Sequence, residues 1–253
     1  MLVVFVTTHL YNDSQEFCQY LMDGLHEDLN RVKVKPYVEH VEARGMKDAE
    51  AALESWRRQL LRHDSIFVDH TQGMHRSHLT CPSCGRESIK FDVYSSISLP
   101  VATAKDGQSS VPLEDCLDLF SAGEQLDERN AWYCSSCKKH VCALKLITLW
   151  NTPDILVLHL KRFTFEKCPS VDGRLLRRKI ETRVNFPIDR LDLSSYILGP
   201  IDEEALPVYK VILFDWLSPP DICCIMSLVL IVCFLKCVLK VIWRERTHGI
   251  NSK

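Results

Sequence analysis

Two cysteine-containing stretches stand out in this sequence: LTCPSCGRES at residues 79–88 and NAWYCSSCKKH at residues 130–140. Each contains a Cys-x-x-Cys pair, and the four cysteines are Cys81, Cys84, Cys134 and Cys137. One such turn brings two thiolates together, and two turns complete the four-sulfur set of a structural zinc site. The 49 residues between Cys84 and Cys134 exceed the span of a compact zinc ribbon. We therefore expect the two turns at the tips of two long hairpins.

Other uses of these cysteines fit the pattern less well. A redox Cys-x-x-Cys acts alone and needs no partner pair. His140 and Cys142 follow the second pair so closely that either can replace one cysteine, which leaves the fourth ligand open. A site closed by four protein ligands stabilises folding and leaves no position for a reacting water. The sequence therefore predicts a structural zinc ion, with any chemistry elsewhere.

The composition is that of an ordinary folded protein in a reducing compartment. Hydrophobic residues make up 46% of the 253 residues and charged residues 25%, while a formal net charge of −2 gives no general attraction to nucleic acid. Twelve cysteines are many for this length. The first residues nevertheless lack the basic region and cleavage site of a secretion signal. We expect a cytoplasmic or nuclear location, no nucleic-acid partner, and cysteines that bind metal or fill the core.

Hydrophobic periodicity predicts helices first and strands later. A helix begins at Asp13 and ends before Pro36, and a second helix at 47–63 has Ala52 and Leu53 on its apolar face. Alternating or β-branched runs predict the strands, which lie at 65–70, 87–99, 141–149, 154–163 and 177–186. The run at 154–163 is almost continuously apolar, which indicates a strand buried on both faces. Helices followed by strands without alternation predict an α+β fold.

The last part of the chain has a different character. Residues 222–243 form an apolar stretch, but its uncharged portion, 222–235, is only 14 residues long. A spanning helix needs about 20 apolar residues, and Lys236 and Lys240 interrupt the stretch. Length and charge therefore argue against a membrane span, and membrane association through 222–243 is the less favoured alternative.

Five blocks of the sequence resemble the ubiquitin-specific protease family, in the order and spacing of that family. The blocks are NDSQEF, LTCPSCGRESIKFDVYSSISLPV, AWYCSSCKKH, PDILVLHLKRF and VNFPIDRLDLSSYI. The resemblance implies a papain-like cysteine protease fold with thumb, fingers and palm. It assigns 1–64 to a partial thumb, 65–140 to zinc-binding antiparallel β fingers and 141–209 to a partial palm, and it leaves 210–253 as a divergent apolar tail.

The resemblance also implies a function, which is deubiquitination. In that family a thiolate attacks the carbonyl after the last glycine of ubiquitin, and a histidine activates the thiolate. The implied partners are ubiquitin and ubiquitinated proteins. Asp13 and Glu16 match acidic positions that meet the basic tail of ubiquitin, because arginines that enter a groove pair well with carboxylates. The alternative is that both residues only cap the first helix.

The catalytic pair is not found where the resemblance places it. The family nucleophile lies in a Gly-Asn-Thr-Cys-type box upstream of the acidic block, and no residue before Asn12 is a cysteine. A Gly-His-Tyr box should follow Lys210, but the sequence there is VILFDWLSPPDICC. His248 lacks the flanking glycines and tyrosine of such a box. We therefore predict no catalytic residue in this chain and expect it to be inactive as given.

Other cysteines and histidines offer no replacement pair. Cys18 and Cys116 lie in helical apolar patterns and His159 in the buried-strand run, so we expect all three to pack in the core. Cys168 lies in a loop with no histidine near it in sequence.

Three interpretations follow, and two of them involve ubiquitin. We favour a deubiquitinase of which this sequence is an incomplete part, because the sequence departs from the family pattern inside a palm strand. The alternative is a ubiquitin-binding fragment or pseudoenzyme that does not cleave. A membrane-anchored zinc-finger protein ranks last, because it makes five ordered matches a coincidence. An incomplete palm is expected to expose apolar surface around Leu156, Leu158 and Phe163.

Overall fold

The structure is a computed structural model, and part of the chain is described by it. It describes residues 14–39, 42–43, 45–104, 108–167, 175–179, 182–185, 193–200 and 210–214. Within these ranges, the backbone alone is described for 14–18, 163–167, 175–179 and 210–214.

Four α-helices lie in the described part of the chain. They are α1 (Ser14–Leu29), α2 (Asp48–Leu60), α3 (Ile66–Thr71) and α4 (Leu113–Ser121). The first two confirm the helices that the periodicity predicts. The buried face of α2 differs from the prediction, because Ala51 and Ala52 are buried whereas the side chain of Leu53 is half exposed.

Helix α3 replaces the strand predicted at 65–70, and that prediction is wrong. Ser65 caps the helix, since its Oγ accepts a hydrogen bond from the Val68 N–H at 3.2 Å. The Thr71 hydroxyl donates to the Phe67 carbonyl oxygen at 2.6 Å. A short apolar run of this kind has no distinguishing period, so its capping residue decides between helix and strand.

Thirteen β-strands follow in the described residues. They are β1 (Gly73–Thr80), β2 (Glu87–Tyr94), β3 (Ile97–Pro100), β4 (Ser110–Pro112), β5 (Glu124–Gln125), β6 (Trp132–Cys134), β7 (Lys139–Val141), β8 (Leu144–Asn151), β9 (Ile155–Lys161), β10 (Phe163–Lys167), β11 (Leu175–Lys179), β12 (Arg183–Asn185) and β13 (Lys210–Phe214). Helices come first and strands dominate afterwards, as the α+β prediction requires.

The cysteine turns belong to two antiparallel hairpins. Strand β1 pairs along its whole length with β2 and also with β8, and β5 extends this sheet to the order β2-β1-β8-β5. Strands β6 and β7 form a separate two-stranded hairpin. The first hairpin is long, as predicted, but the second has only three residues in each strand.

A parallel sheet with the order β13-β9-β3 forms the centre of the second region. The central strand β9 is buried on both faces, as predicted, and Leu156 and Leu158 are fully buried. Helix α4 packs on this sheet through Leu113 and Leu117. The prediction of exposed apolar surface around Leu156 and Leu158 is therefore wrong, and the side chain of Phe163 lies outside what the structure describes.

The predicted apolar tail begins inside this sheet. Residues 210–214 form β13 and pair with β9, while residues 215–253, which contain the candidate membrane stretch, lie outside the described residues. Among the helices that are described, none has the length and apolar character needed to cross a membrane.

Candidate metal centre

The first cysteine turn connects β1 to β2. Cys81 follows β1, and its N–H donates to the Arg86 carbonyl oxygen at 2.9 Å, while the Gly85 N–H donates to the Cys81 carbonyl oxygen at 3.0 Å. Gly85 closes the turn with φ +69°, a left-handed conformation that glycine adopts without steric cost. These bonds direct Cys81 and Cys84 to the same side of the turn.

The second cysteine turn connects β6 to β7 and has the same backbone plan. Cys134 ends β6 and pairs across the hairpin with Lys139. Lys138 occupies the position equivalent to Gly85 and has φ 53°, so a residue with a Cβ takes the left-handed conformation here. Both turns therefore have a left-handed residue directly after the second cysteine, which indicates that this conformation is needed to place the two sulfurs.

The two turns face each other and bring all four predicted sulfurs together. Cys81 Sγ lies 3.9 Å from Cys137 Sγ, and Cys84 Sγ lies 3.7 Å from Cys134 Sγ. All four sulfurs lie within 4.8 Å of one another. Disulfide sulfurs are about 2.05 Å apart, so these contacts are not disulfides.

The separations fit a tetrahedral metal ion. With metal–sulfur bonds of about 2.3 Å, two sulfurs of a tetrahedral zinc site lie about 3.8 Å apart, which is close to both measured distances. Four thiolates leave no free coordination position for water or substrate. The arrangement can therefore join two hairpins but cannot activate a water molecule.

The protonation of the four thiols is linked through the short sulfur contacts. Burial disfavours the Cys81 thiolate, but hydrogen bonds from the backbone of Cys84 and Ser83 and from the neighbouring thiols outweigh it, and the pKa of Cys81 falls to about 6. The hydrogen bond with the Cys84 thiol and, next, burial raise the pKa of Cys137 to about 12. These opposite shifts favour the thiolate at Cys81 and the thiol at Cys137.

A small apolar layer supports the sulfurs. Val141 and Ala143 are buried beside Cys81 and Cys134, and three partly buried residues pack against them: Leu79, Leu126 and Trp132. The Leu126 N–H donates to the Ala143 carbonyl oxygen at 2.9 Å. We call the two turns, 81–85 and 134–138, with Val141 and Ala143, the cysteine centre.

The two alternative ligands named from the sequence lie outside this sulfur cluster. His140 is exposed, and its Nδ1 lies 3.2 Å from the Ala131 carbonyl oxygen. Cys142 carries a free thiol that is not part of the group of four. The structure therefore brings together the four cysteines of the two Cys-x-x-Cys pairs as the candidate ligands.

The predicted acidic residues lie at the edge of what the structure describes. Asp13 lies outside the described residues, and Glu16 belongs to the first turn of α1, where the backbone alone is described. Their predicted contact with a basic peptide therefore stays a prediction.

The remaining cysteine and histidine candidates form no described catalytic pair. Cys116 is fully buried in α4, and burial raises the pKa of its thiol, as expected for a core residue. His159 lies in β9, and its Nδ1 is 3.4 Å from Ser98 Oγ. The side chain of Cys18 and residues Cys168 and His248 lie outside the described part of the chain.

The family model and the curated relatives that this chain matches are all described as ubiquitin carboxyl-terminal hydrolases. A family model described as ubiquitin carboxyl-terminal hydrolase matches residues 6–212. Ubiquitin carboxyl-terminal hydrolase 2 of Gallus gallus is 37% identical over 199 residues, which cover 79% of this chain and 53% of that protein. The Homo sapiens protein of the same name is 38% identical over 199 residues, covering 79% of this chain and 31% of that protein.

The chain therefore spans about half of the length of the first of these relatives and less than a third of the second. Among solved structures, the DUB module of SAGA with Ubp8, Sgf11, Sus1 and Sgf73 aligns with a TM-score of 0.47 and 24% identity. That alignment covers 74% of this chain and 35% of the solved chain.

Proposed function

This chain belongs to the ubiquitin carboxyl-terminal hydrolase family, and from that premise we propose that it is the ubiquitin-binding part of a deubiquitinating cysteine protease domain. The match over residues 6–212 carries the proposal. Membership confirms the family resemblance seen in the sequence. It also confirms the fold class, which is α+β with the thumb, fingers and palm of a papain-like protease.

We assign zinc to the cysteine centre. Four thiolates in a tetrahedron form a soft, closed ligand set, which suits zinc better than calcium, magnesium or manganese. A bound zinc ion supplies a structural link and no reaction step. Cys81 and Cys84 hold one side of it and Cys134 and Cys137 the other, so the ion joins the tip of the β1–β2 hairpin to the β6–β7 hairpin.

This link supports a binding role for the fingers. The sheet β2-β1-β8-β5 has a half-buried surface, with most β1 and β8 side chains neither buried nor fully exposed. A sheet of this kind can present a broad, shaped face to a globular partner once its tip is fixed. We propose that the face receives the body of ubiquitin, and that Asp13 and Glu16 pair with the arginines of its tail.

We propose that the chain as given binds without cleaving. The printed sequence has no Gly-Asn-Thr-Cys-type box and no Gly-His-Tyr box. Cys116, the one cysteine of α4, is sealed in the core, where a thiol cannot reach a peptide carbonyl. The second candidate function, hydrolysis after the last glycine of ubiquitin, applies to a protein that also contains such boxes.

The experiment is a ubiquitin titration by biolayer interferometry with three forms of the chain. The double variant Asp13→Asn, Glu16→Gln should lower the affinity at least about tenfold, because charge-assisted hydrogen bonds contribute roughly 1.5–3 kcal/mol. Asp28→Asn, which removes one charge from an exposed position of the same helix, is the matched control and should bind like the unchanged chain.

Two results would contradict the proposal. Absence of binding by the zinc-loaded, folded chain would remove the binding role. Release of a fluorescent group from a ubiquitin C-terminal amide by the purified chain would show that it cleaves, contrary to the non-cleaving part of the proposal.

A further inference from the structure

We propose a second metal site, distinct from the cysteine centre, in which His26, Glu27 and His63 bind one divalent transition-metal ion. His26 and Glu27 lie in the last turn of α1, and His63 lies in the segment between α2 and α3. Two imidazoles and one carboxylate suit zinc, nickel or copper. This inference does not depend on the proposed ubiquitin binding.

The three ligand atoms already lie close together. His26 Nε2 is 3.0 Å from His63 Nδ1 and 3.9 Å from Glu27 Oε1, and all three ligand atoms lie within 4.8 Å of one another. With zinc–nitrogen bonds of 2.0–2.1 Å, two adjacent imidazole nitrogens lie about 2.9–3.4 Å apart, depending on the bond angle. The separation of the two nitrogens therefore fits one bridging ion, which His63 Nδ1 can bind when the His63 proton lies on Nε2.

A hydrogen bond fixes the buried ring of His26 through the nitrogen that does not face His63. His26 is 7% exposed, and its Nδ1 lies 2.8 Å from Ser65 Oγ, which is fully buried. The Ser65 hydroxyl is itself fixed, because it accepts the Val68 N–H that caps α3. A metal-binding histidine commonly uses its second ring nitrogen in this way, which fixes the ring and its tautomer. With Nδ1–H donating to Ser65, the lone pair of Nε2 faces His63.

Both rings are suited to bind a cation at neutral pH. Burial is the main cause that lowers the pKa of His26 and of His63 below the usual histidine value. The neutral imidazole, which is the ligand form, is therefore favoured at each position.

The site is open on one side. The Glu27 side chain is 51% exposed, which gives an ion access from solvent, and His63 also lines a cleft of about 460 Å³ between α2 and β2. The charges around the rings are mixed: Asp23 and Glu27 are acidic, and Lys35 and Arg62 are basic. Lys35 Nζ lies 2.5 Å from Glu27 Oε1 and thus occupies the carboxylate that the ion needs. Lys35 is therefore a competitor of the metal.

This competition distinguishes a metal site from a simple histidine pair. If the rings only form a hydrogen bond, no second zinc ion binds and Lys35→Met creates no such binding. If the three residues bind an ion, removing Lys35 frees Glu27 and removes a positive charge, so affinity rises. Binding would also join α1 to the segment between α2 and α3, so the thermal unfolding midpoint should rise with added metal.

The experiment is an isothermal titration of Zn²⁺ into the full chain whose cysteine centre is already zinc-loaded. We expect one further equivalent of zinc to bind. His63→Gln and Glu27→Gln should each weaken this second equivalent at least about tenfold, the lower end of losses seen around metal sites. Lys35→Met should strengthen it severalfold, and Asp28→Asn, on the same helix, should leave it unchanged.

A second readout excludes indirect effects. In ¹⁵N spectra of the histidine rings, zinc should shift His26 Nε2 and His63 Nδ1 and leave the exposed His140 ring unchanged. Equal circular dichroism and an unchanged first zinc equivalent would show that each variant folds. Absence of a second equivalent, or a second equivalent that ignores both His63→Gln and Lys35→Met, would overturn the proposal.

Discussion

The cysteine centre and the sheet around β9 lie in one chain, but different forces hold them. Around β9, thirteen buried residues form one cluster, which includes Leu99, Leu156 and Leu158. The cysteine centre has four buried residues, and two of them are the ligands Cys81 and Cys134. Burial of apolar surface contributes about 25 cal/mol per Å², so the cluster around β9 is stable through its own packing. The cysteine centre has little apolar surface, and we propose that a metal ion supplies the stability that packing does not.

This difference predicts that zinc stabilises the cysteine centre and not the sheet around β9. The four cysteines that we propose as ligands lie at the tips of two hairpins, whereas β9 pairs with β3 and β13 and has no cysteine ligand in its cluster. We call the thirteen-residue cluster around β9 the β9 core. Metal removal and core truncation should therefore give separable effects.

The largest expected effect is loss of the metal itself. Cys134→Ser removes a buried ligand, and we expect zinc binding at the cysteine centre to be lost, because structural zinc in finger peptides contributes about 10–16 kcal/mol. Cys142→Ser, eight positions further along and outside the sulfur cluster, is the matched control and should keep the ion. Zinc bound per chain, by metal analysis after dialysis, checks this. Equal zinc in both variants would show that Cys134 is not a ligand.

The next effect concerns the β9 core. Leu158→Ala should lower the free energy of unfolding by about 2–5 kcal/mol, since it opens a cavity at a fully buried position. Leu144→Ala, at a half-exposed position of β8, should cost less than about 1 kcal/mol. Urea denaturation measures both. If the Leu158→Ala chain loses its zinc while the Leu144→Ala chain keeps it, the cysteine centre depends on the β9 core, which would contradict the comparison.

The smallest effect compares the two turns within the cysteine centre. Gly85→Ala places a Cβ at φ +69° and should weaken zinc binding about tenfold, because the left-handed conformation costs roughly 1–2 kcal/mol. Lys138 already has φ 53°, so Lys138→Gly should change the affinity far less. The relief of backbone strain is offset by the larger conformational entropy that glycine loses on folding. Competition with a chelator measures both. Equal losses would show that the turn conformation does not control the affinity.

The sequence predicted the parts of the fold that have a strong local signal. The two Cys-x-x-Cys pairs predicted the sulfur cluster, because each pair fixes its own geometry and the second pair completes the first. The apolar run at 154–163 predicted a strand buried on both faces, which β9 confirms. The predicted α2 is confirmed in its bounds within three residues, and Ala52 is buried as predicted, but tertiary contacts bury Ala51 and leave Leu53 half exposed.

Other features could not be predicted because their causes lie far apart in the chain. The run at 65–70 has no period that separates helix from strand, and the Ser65 cap decides for α3. His26 and His63 are 37 residues apart, with no motif to join them. Only the packing of α1 beside the segment after α2 places their rings together. The grouping of residues behind the proposed second metal site is therefore seen in the structure and not in the sequence.

The most direct test of the central claim, that zinc holds the cysteine centre and not the β9 core, is hydrogen exchange followed by mass spectrometry before and after zinc removal. We predict that backbone amides in 79–88 and 130–143 lose their protection when zinc is removed, while those in 155–161 keep theirs. Loss of protection throughout the chain, or no change in 79–88 and 130–143, would contradict the account.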